Sequence, residues 1–263
     1  MKISIGILLS LGLVVSQQDK FRIVGGVPAR PNTYPFAAYM VQRRTGSLCG
    51  ASLLSNSWLV TAAHCVHRTS PGDIRVTVGQ LTFDPNSGSE IQRIVIHPGY
   101  ETQRQTNDIA LIQLRDTVDF TPIKIETETV GDNEDVRAVG WGLMYSSATR
   151  PASTLQEVDL KTMPRDDCRS RLPTFEGNGV GKQLCTGNTP GRDTCSGDSG
   201  GPLMRRSGNE WKLIGLTSFG AWDNRITLTE VCGIEEIVGI YTNVYKYLDF
   251  ISDSTGISKE SLT

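Results

Sequence analysis

Short apolar or alternating runs, five to ten residues long, recur along the whole chain. FAAYMVQ (36–42), WLVTAA (58–63), IRVTVGQL (74–81), IQRIVI (91–96), IALIQL (109–114) and VRAVGWG (136–142) have the length and β-branched content of strands. TLQEVDLKTM (154–163), WKLIGLTSFG (211–220) and GIYTNV (239–244) continue the series. Turn-forming stretches separate them: SPGD, DPNSGS, HPGY, GDNED, GNGVG and NTPGRD. Only YKYLDFIS (245–252) has helical spacing, through Tyr247, Leu248 and Ile251. Many short strands with regular turns predict an all-β sandwich or barrel followed by a C-terminal α-helix. The polar stretch IKIETETVGDNED suits a connection between two halves.

The beginning of the chain departs from this texture. MKISIGILLSLGLVVS has one lysine, an apolar run from Ile3 to Val15 and small residues at Val14 and Ser16. It reads as a signal peptide over residues 1–16, too short for a membrane span. The chain is therefore expected to be secreted and extracellular. The formal charge of -2 argues for neither nucleic acid nor a membrane as partner. Removing residues 1–22 leaves 23 basic and 27 acidic residues, a charge of -4, and the conclusion holds. Six cysteines in an exported chain suggest three disulfides, with fifteen pairings open to counting alone. No C-x-x-C or H-E-x-x-H spacing appears among the cysteines and three histidines, so no metal and no cofactor is expected. GNGVGKQ is a poor phosphate loop, with Glu176 and Gln183 at positions that should be Gly and Ser or Thr.

The most informative stretch is RDTCSGDSGG, residues 192–201. Serine is a weak nucleophile and needs a base, which needs an orienting acid. Gly197-x-Ser199-x-Gly201 also matches the nucleophile elbow of esterases, but there the histidine follows the serine. Here His64, His67 and His97 all precede Ser199. The order Asp, His, Ser also fails, because no acid lies between Ile23 and His64. What survives is His, then Asp, then Ser.

TAAHC around His64, NDIAL around Asp108 and GDSGGP around Ser199 together resemble the trypsin-like (chymotrypsin-fold) serine peptidases. The resemblance covers nearly everything from Ile23 to about Ile251. It implies a peptidase domain over residues 23–263 built from two six-stranded antiparallel β-barrels, the first over about residues 23–122 and the second, with the helix, over about 123–252. His64, Asp108 and Ser199 would be the catalytic residues, and the backbone N–H groups of Gly197 and Ser199 the oxyanion hole. RIVGG (22–26) resembles the family's activation site: cleavage after Arg22 removes a propeptide, residues 17–22, and frees an amine on Ile23 to pair with Asp198. By its offset from Ser199, Asp193 matches the base of a pocket for Lys or Arg side chains. Thr194, Ser218, Phe219, Gly220 and Gly239 complete the substrate-binding set. The disulfides implied are Cys49–Cys65, Cys168–Cys185 and Cys195–Cys232. His67 and His97 read as structural.

Some features depart from the family pattern. AWDNRITLTEV (221–231) is longer than trypsins usually have beside the pocket and carries Trp222, Asp223, Arg225 and Glu230. Asp84 and Glu90 do not match the spacing of the family's calcium loop, and Val238 replaces an aromatic residue linked to sodium regulation. The expectation is a secreted endopeptidase zymogen cutting after Arg or Lys, acting as a monomer on proteins and peptides and open to protein protease inhibitors. The alternatives are a chymotrypsin- or collagenase-like specificity set by residues 221–231, or a non-catalytic protease-like binding module.

Overall fold

The computed structural model describes residues 24–187, 189–223, 225, 227–228 and 232–263. The expected signal peptide, the propeptide, Arg22 and Ile23 lie outside the described residues. Among the described residues no helix is long and apolar enough to cross a membrane.

A short strand β1 (Val27–Pro28) precedes two barrels. The first consists of β2 (Ala37–Gln42), β3 (Leu48–Leu53), β4 (Trp58–Thr61), β5 (Ile74–Val78), β6 (Ser89–Ile96) and β7 (Ala110–Leu114), closed in the order β2-β3-β4-β7-β6-β5. Then come β8 (Lys124–Ile125), β9 (Asp135–Gly140), β10 (Gln156–Thr162), β11 (Gln183–Gly187), β12 (Pro202–Ser207), β13 (Glu210–Ala221) and β14 (Val238–Asn243). Strands β9, β10, β11, β14, β13 and β12 form the second closed barrel, with β1 added to β10 and β8 to β13. The fold is all-β, two six-stranded antiparallel barrels with a short C-terminal helix, as the resemblance implies.

Alternation in the sequence becomes inside and outside of the barrels. On β10 Val158, Leu160 and Thr162 are buried while Asp159 and Lys161 are exposed. On β4 and β7 both faces are buried, which is why WLVT and ALIQL read as continuous apolar runs. The barrels meet where the ring of Tyr39 contacts Trp141 edge-on at 4.9 Å, and the Trp141 indole N–H donates to the Leu81 carbonyl at 3.1 Å.

Five of the strands are not marked by the sequence: β3, β11 and β12 carry no clear pattern, and β1 and β8, the latter inside the stretch read as a connection, are only two residues long. The helix expected over 245–252 is a 3₁₀ turn at Val244–Tyr247 followed by an α-helix that runs on to Thr255. Among the described residues Pro71–Asp73 forms a 3₁₀ turn, and three further α-helices are short: Ala63–Val66, Arg165–Arg169 and Lys259–Leu262. Four or five residues are too few to show periodicity. The last packs Leu262 into the core.

Candidate active site

His64 lies in the one-turn helix Ala63–Val66, directly after β4, and Asp108 lies two residues before β7. Because β4 and β7 are neighbours, barrel closure brings the two together. The His64 backbone N–H donates to Asp108 Oδ1 at 2.9 Å, and the ring Nδ1 lies 2.8 Å from Oδ2. The Ser218 hydroxyl donates to the same Oδ2 at 2.5 Å. Asp108 is 1% exposed. Its carboxylate can accept but not donate, so Nδ1 carries the proton and Nε2 is left as the basic nitrogen. Asn107 presents Asp108 from a left-handed backbone (φ 51°). Its amide donates to the Gly99 carbonyl at 2.7 Å and accepts from Lys182 at 2.9 Å.

Ser199 comes from the loop between β11 and β12 and is gripped from the first barrel. Its carbonyl accepts from the Gly50 N–H at 2.7 Å. Its glycine neighbours are steric necessities. Gly197 and Gly200 have φ of 98° and 77°. A Cβ on Gly200 would stand 2.2 Å from Thr61 Oγ1 and 2.6 Å from the Gly50 carbonyl.

Two cavities meet at Ser199. One, of about 290 Å³, is lined by His64, His67, Gln42 and Ile74 among others. The other, of about 260 Å³, is lined by Asp193, Thr194, Ser218, Phe219, Gly220 and Gly239, together with Trp222. All six residues named from the sequence as substrate-binding thus share one cavity with Ser199. Asp193 is 3% exposed there and accepts from the Gly233 N–H at 3.2 Å. Burial pushes its carboxyl up to about 7; the N–H groups of Gly233 and Thr194 oppose this, and the charge of Asp198 adds to it. Arg192, next to it in sequence, is exposed, and among the described residues no ion pair joins the two.

Asp198 is also 1% exposed. Its oxygens accept from the N–H of Gly142 at 2.8 Å and of Cys195 at 3.0 Å. Burial pushes it up to about 6 against those two donors. Gly142 is a glycine of necessity, since a Cβ there would lie 2.4 Å from Asp198 Oδ2. The chain start approaches the same loop. The Asp193 N–H donates to the Val24 carbonyl at 3.1 Å, and a Cβ on Gly25 would lie 1.9 Å from the Gly191 carbonyl oxygen.

The sulfurs are paired as Cys49–Cys65, Cys168–Cys185 and Cys195–Cys232. The first bond ties His64's helix to β3, and the last spans the Asp193 cavity. Among the described residues only Cys49, His64 and Cys65 cluster as metal ligands would, and with both sulfurs in a disulfide they offer no thiolate. His97 is half-buried against Tyr247 and Phe250, and that burial lowers its ring below the ordinary value, with Lys182 adding to this. His67 meets the Tyr100 ring edge-on at 5.4 Å but also lines the His64 cavity, so it is less remote from the site than the sequence suggests. Two contributors to the site escaped the sequence reading: the Ser218 hydroxyl on Asp108, and the Thr242 hydroxyl, which donates to the Asp108 carbonyl at 2.8 Å. Both lie more than a hundred residues away, and no local signal marks them.

Residues 23–251 match the family model described as Trypsin. CLIP domain-containing serine protease B4 of Anopheles gambiae is 33% identical over 269 residues, covering 89% of this chain and 70% of that protein. Transmembrane protease serine 11C of Mus musculus is 32% identical over 245 residues, covering 90% of this chain and 54% of that protein. The chain thus spans only about half of the mouse protein's length.

Proposed function

The chain belongs to the trypsin family of serine proteases, and from that premise we propose that it is a secreted endopeptidase, made as a zymogen, that cuts after Arg or Lys. The observation that carries the specificity is Asp193, a buried carboxylate in a cavity shared with Ser199 and without an ion-pair partner among the described residues. An incoming guanidinium or ammonium supplies the missing charge. Leaving that charge unpaired costs about 2–5 kcal/mol, enough to reject an apolar side chain.

The chemistry follows from the donors and acceptors. With the bound side chain against Asp193, the Ser199 hydroxyl attacks the peptide carbonyl and His64 Nε2 takes its proton. Asp108 holds the imidazole through Nδ1 and stabilises its charged form. The backbone N–H groups of Gly197 and Ser199 receive the developing oxyanion; one such donor is typically worth roughly 100- to 1,000-fold in rate. The proton passes from His64 to the leaving amine, an acyl ester remains on Ser199, and water, deprotonated by His64, releases the acid.

Activation follows from Asp198. Cleavage after Arg22 frees the Ile23 amine, which docks as the cation for this carboxylate. Support comes from Val24, already held by the Asp193 N–H, and from the two backbone donors that fix Asp198 without neutralising it. Because Arg22 is itself a substrate side chain, activation is self-accelerating. The signal peptide makes the product extracellular; it works as a monomer and is subject to protein inhibitors.

A second reading has one observation in its favour: Trp222, 39% exposed, lines the Asp193 cavity from the extra segment. It would favour an apolar side chain. Matched peptides differing only in the cleaved residue, Arg, Lys, Phe or Leu, decide by kcat/KM with the form that begins at Ile23. A preference of about 100-fold or more for Arg and Lys supports the first reading. A preference for Phe or Leu makes the 221–231 segment the determinant. A serine-directed phosphonate that fails to label Ser199 would leave only a binding module.

A further inference from the structure

Between residues 24 and 122 the chain has eight arginines and no lysine, whereas all six lysines after residue 24 lie in the second half. Five of those arginines, Arg43, Arg44, Arg75, Arg93 and Arg115, gather on one outer face of the first barrel. Arg43 and Arg44 follow the end of β2, Arg75 on β5 stands opposite Glu90 on β6, and Arg93 lies further along β6. The Arg115 N–H donates to the Glu90 carbonyl at 3.0 Å, at the end of β7. Glu90 bridges the group: its carboxylate pairs with Arg43 at 3.7 Å and closely with Arg115. Asp73 pairs with Arg44 at 3.2 Å. Five guanidiniums therefore face two carboxylates, in a chain whose formal charge is -2. Counting Asp116, which follows Arg115, the face remains positive.

This face adjoins the His64 cavity. Gln42 and Ile74 line that cavity; Arg43 follows Gln42 just past the end of β2, and Arg75 follows Ile74 on β5 with its side chain on the opposite, outer face. With the residue before the cut in the Asp193 cavity, the chain after the cut leaves Ser199 through the His64 cavity and meets the arginines.

We propose that this face binds a carboxylate-rich segment of the protein substrate, on the C-terminal side of the cleaved bond. The proposal rests on the peptidase reading above. Guanidiniums present paired N–H donors that match carboxylates in a way an ammonium does not, which gives the absence of lysine a chemical meaning. Glu90 holds Arg43 and Arg115, Asp73 holds Arg44, and the Gly88 carbonyl accepts from Arg75 at 3.0 Å, so these side chains are pre-oriented at the cost of only part of their charge. A field of one sign beside a cleft also accelerates the arrival of an oppositely charged chain.

The test uses the form beginning at Ile23 and peptides identical through the cut and just beyond it. Further along, they continue as a run of glutamates, of lysines, or of glycine and serine. A short amide substrate ending at the cleaved arginine serves as control. The glutamate peptide is expected to exceed the neutral one in kcat/KM by about tenfold at low salt, with the lysine peptide below both, and the margin to shrink toward one at molar salt. The double variant R75Q/R115Q is expected to lose the margin and keep the short substrate's rate. Should that variant fail to fold, free polyglutamate decides with the unaltered protein. It should compete with the glutamate peptide and leave the short substrate untouched, and absence of competition overturns the proposal. Equal rates for glutamate and neutral peptides, with the short substrate turned over, overturn the arginine face and spare the peptidase. Binding of a sulfated polysaccharide without a preference for the glutamate peptide overturns it in favour of a glycan. No turnover of the short substrate removes the peptidase reading itself.

Discussion

The first barrel contributes a carboxylate that is complete as folded, and the second contributes two that are not. Asp108 has the His64 backbone, the His64 ring and the Ser218 hydroxyl around its oxygens. Asp193 and Asp198 are equally buried but have only backbone N–H groups, and burial lifts both well above the ordinary carboxylate range. The difference teaches where the missing charges come from. Asp108 needs nothing more from outside, whereas in the function proposed above each of the other two receives a cation: a substrate side chain for Asp193, the new chain terminus for Asp198.

The contrast breaks first at the complete pair. His64→Ala or Ser199→Ala should lower kcat by about a millionfold with the fold intact, and Asp108→Asn by about ten-thousandfold, as is typical of such triads; single-turnover rates check this. Next, Asp193→Ser should cost Arg peptides roughly 30- to 5,000-fold in kcat/KM and leave Phe peptides unharmed. In the unaltered protein the ratio of Arg to Phe turnover should fall as pH drops through about 7, because protonating Asp193 discards the charge that selects arginine.

Asp198 separates activity from stability. In the form beginning at Ile23, Asp198→Asn should cost about 100-fold or more in kcat by disordering the oxyanion donors. In an Arg22→Gln precursor no such amine exists. There the folded carboxyl, raised to about 6 from an ordinary 3.8, binds its proton more tightly than the unfolded one. Its destabilisation, about 3 kcal/mol, is fully present above pH 6 and relieved as pH falls toward 4. Asp198→Asn should remove that part of the slope in denaturant titrations and stabilise the precursor at neutral pH. The smallest effect sharpens the description of Asp108: Ser218→Ala removes one of its three donors and should cost about tenfold in kcat.

The strands with branched side chains were legible in the sequence, and the invisible ones explain themselves. LCGASL in β3 is small because it lies under the serine loop: a Cβ on Gly50 would stand 2.6 Å from Gly201 Cα. The close approach that the site requires is what erases the β pattern. QLCTG in β11 gives a cysteine to a disulfide and Thr186 to the wall behind Gly239, and PLMRRS in β12 opens with proline. The residues that the structure gathers around Ser199 could be named from the sequence because motifs fix them locally. The hydroxyls of Ser218 and Thr242 were not, since their place beside Asp108 arises from the packing of one barrel on the other.

The N–H of Gly50 on the carbonyl of Ser199 gives the molecule a mechanical character. Ser199, the proposed nucleophile, hangs from both barrels at once, so on that reading hydrolysis reports on how they are seated. Sliding one barrel against the other by the length of that single contact would silence the protein with every strand still paired. A chain cut in the connection between Ile125 and Asp135, its halves produced apart, would regain turnover only on mating in register. Turnover would then serve as a gauge of assembly finer than any spectrum of strand content.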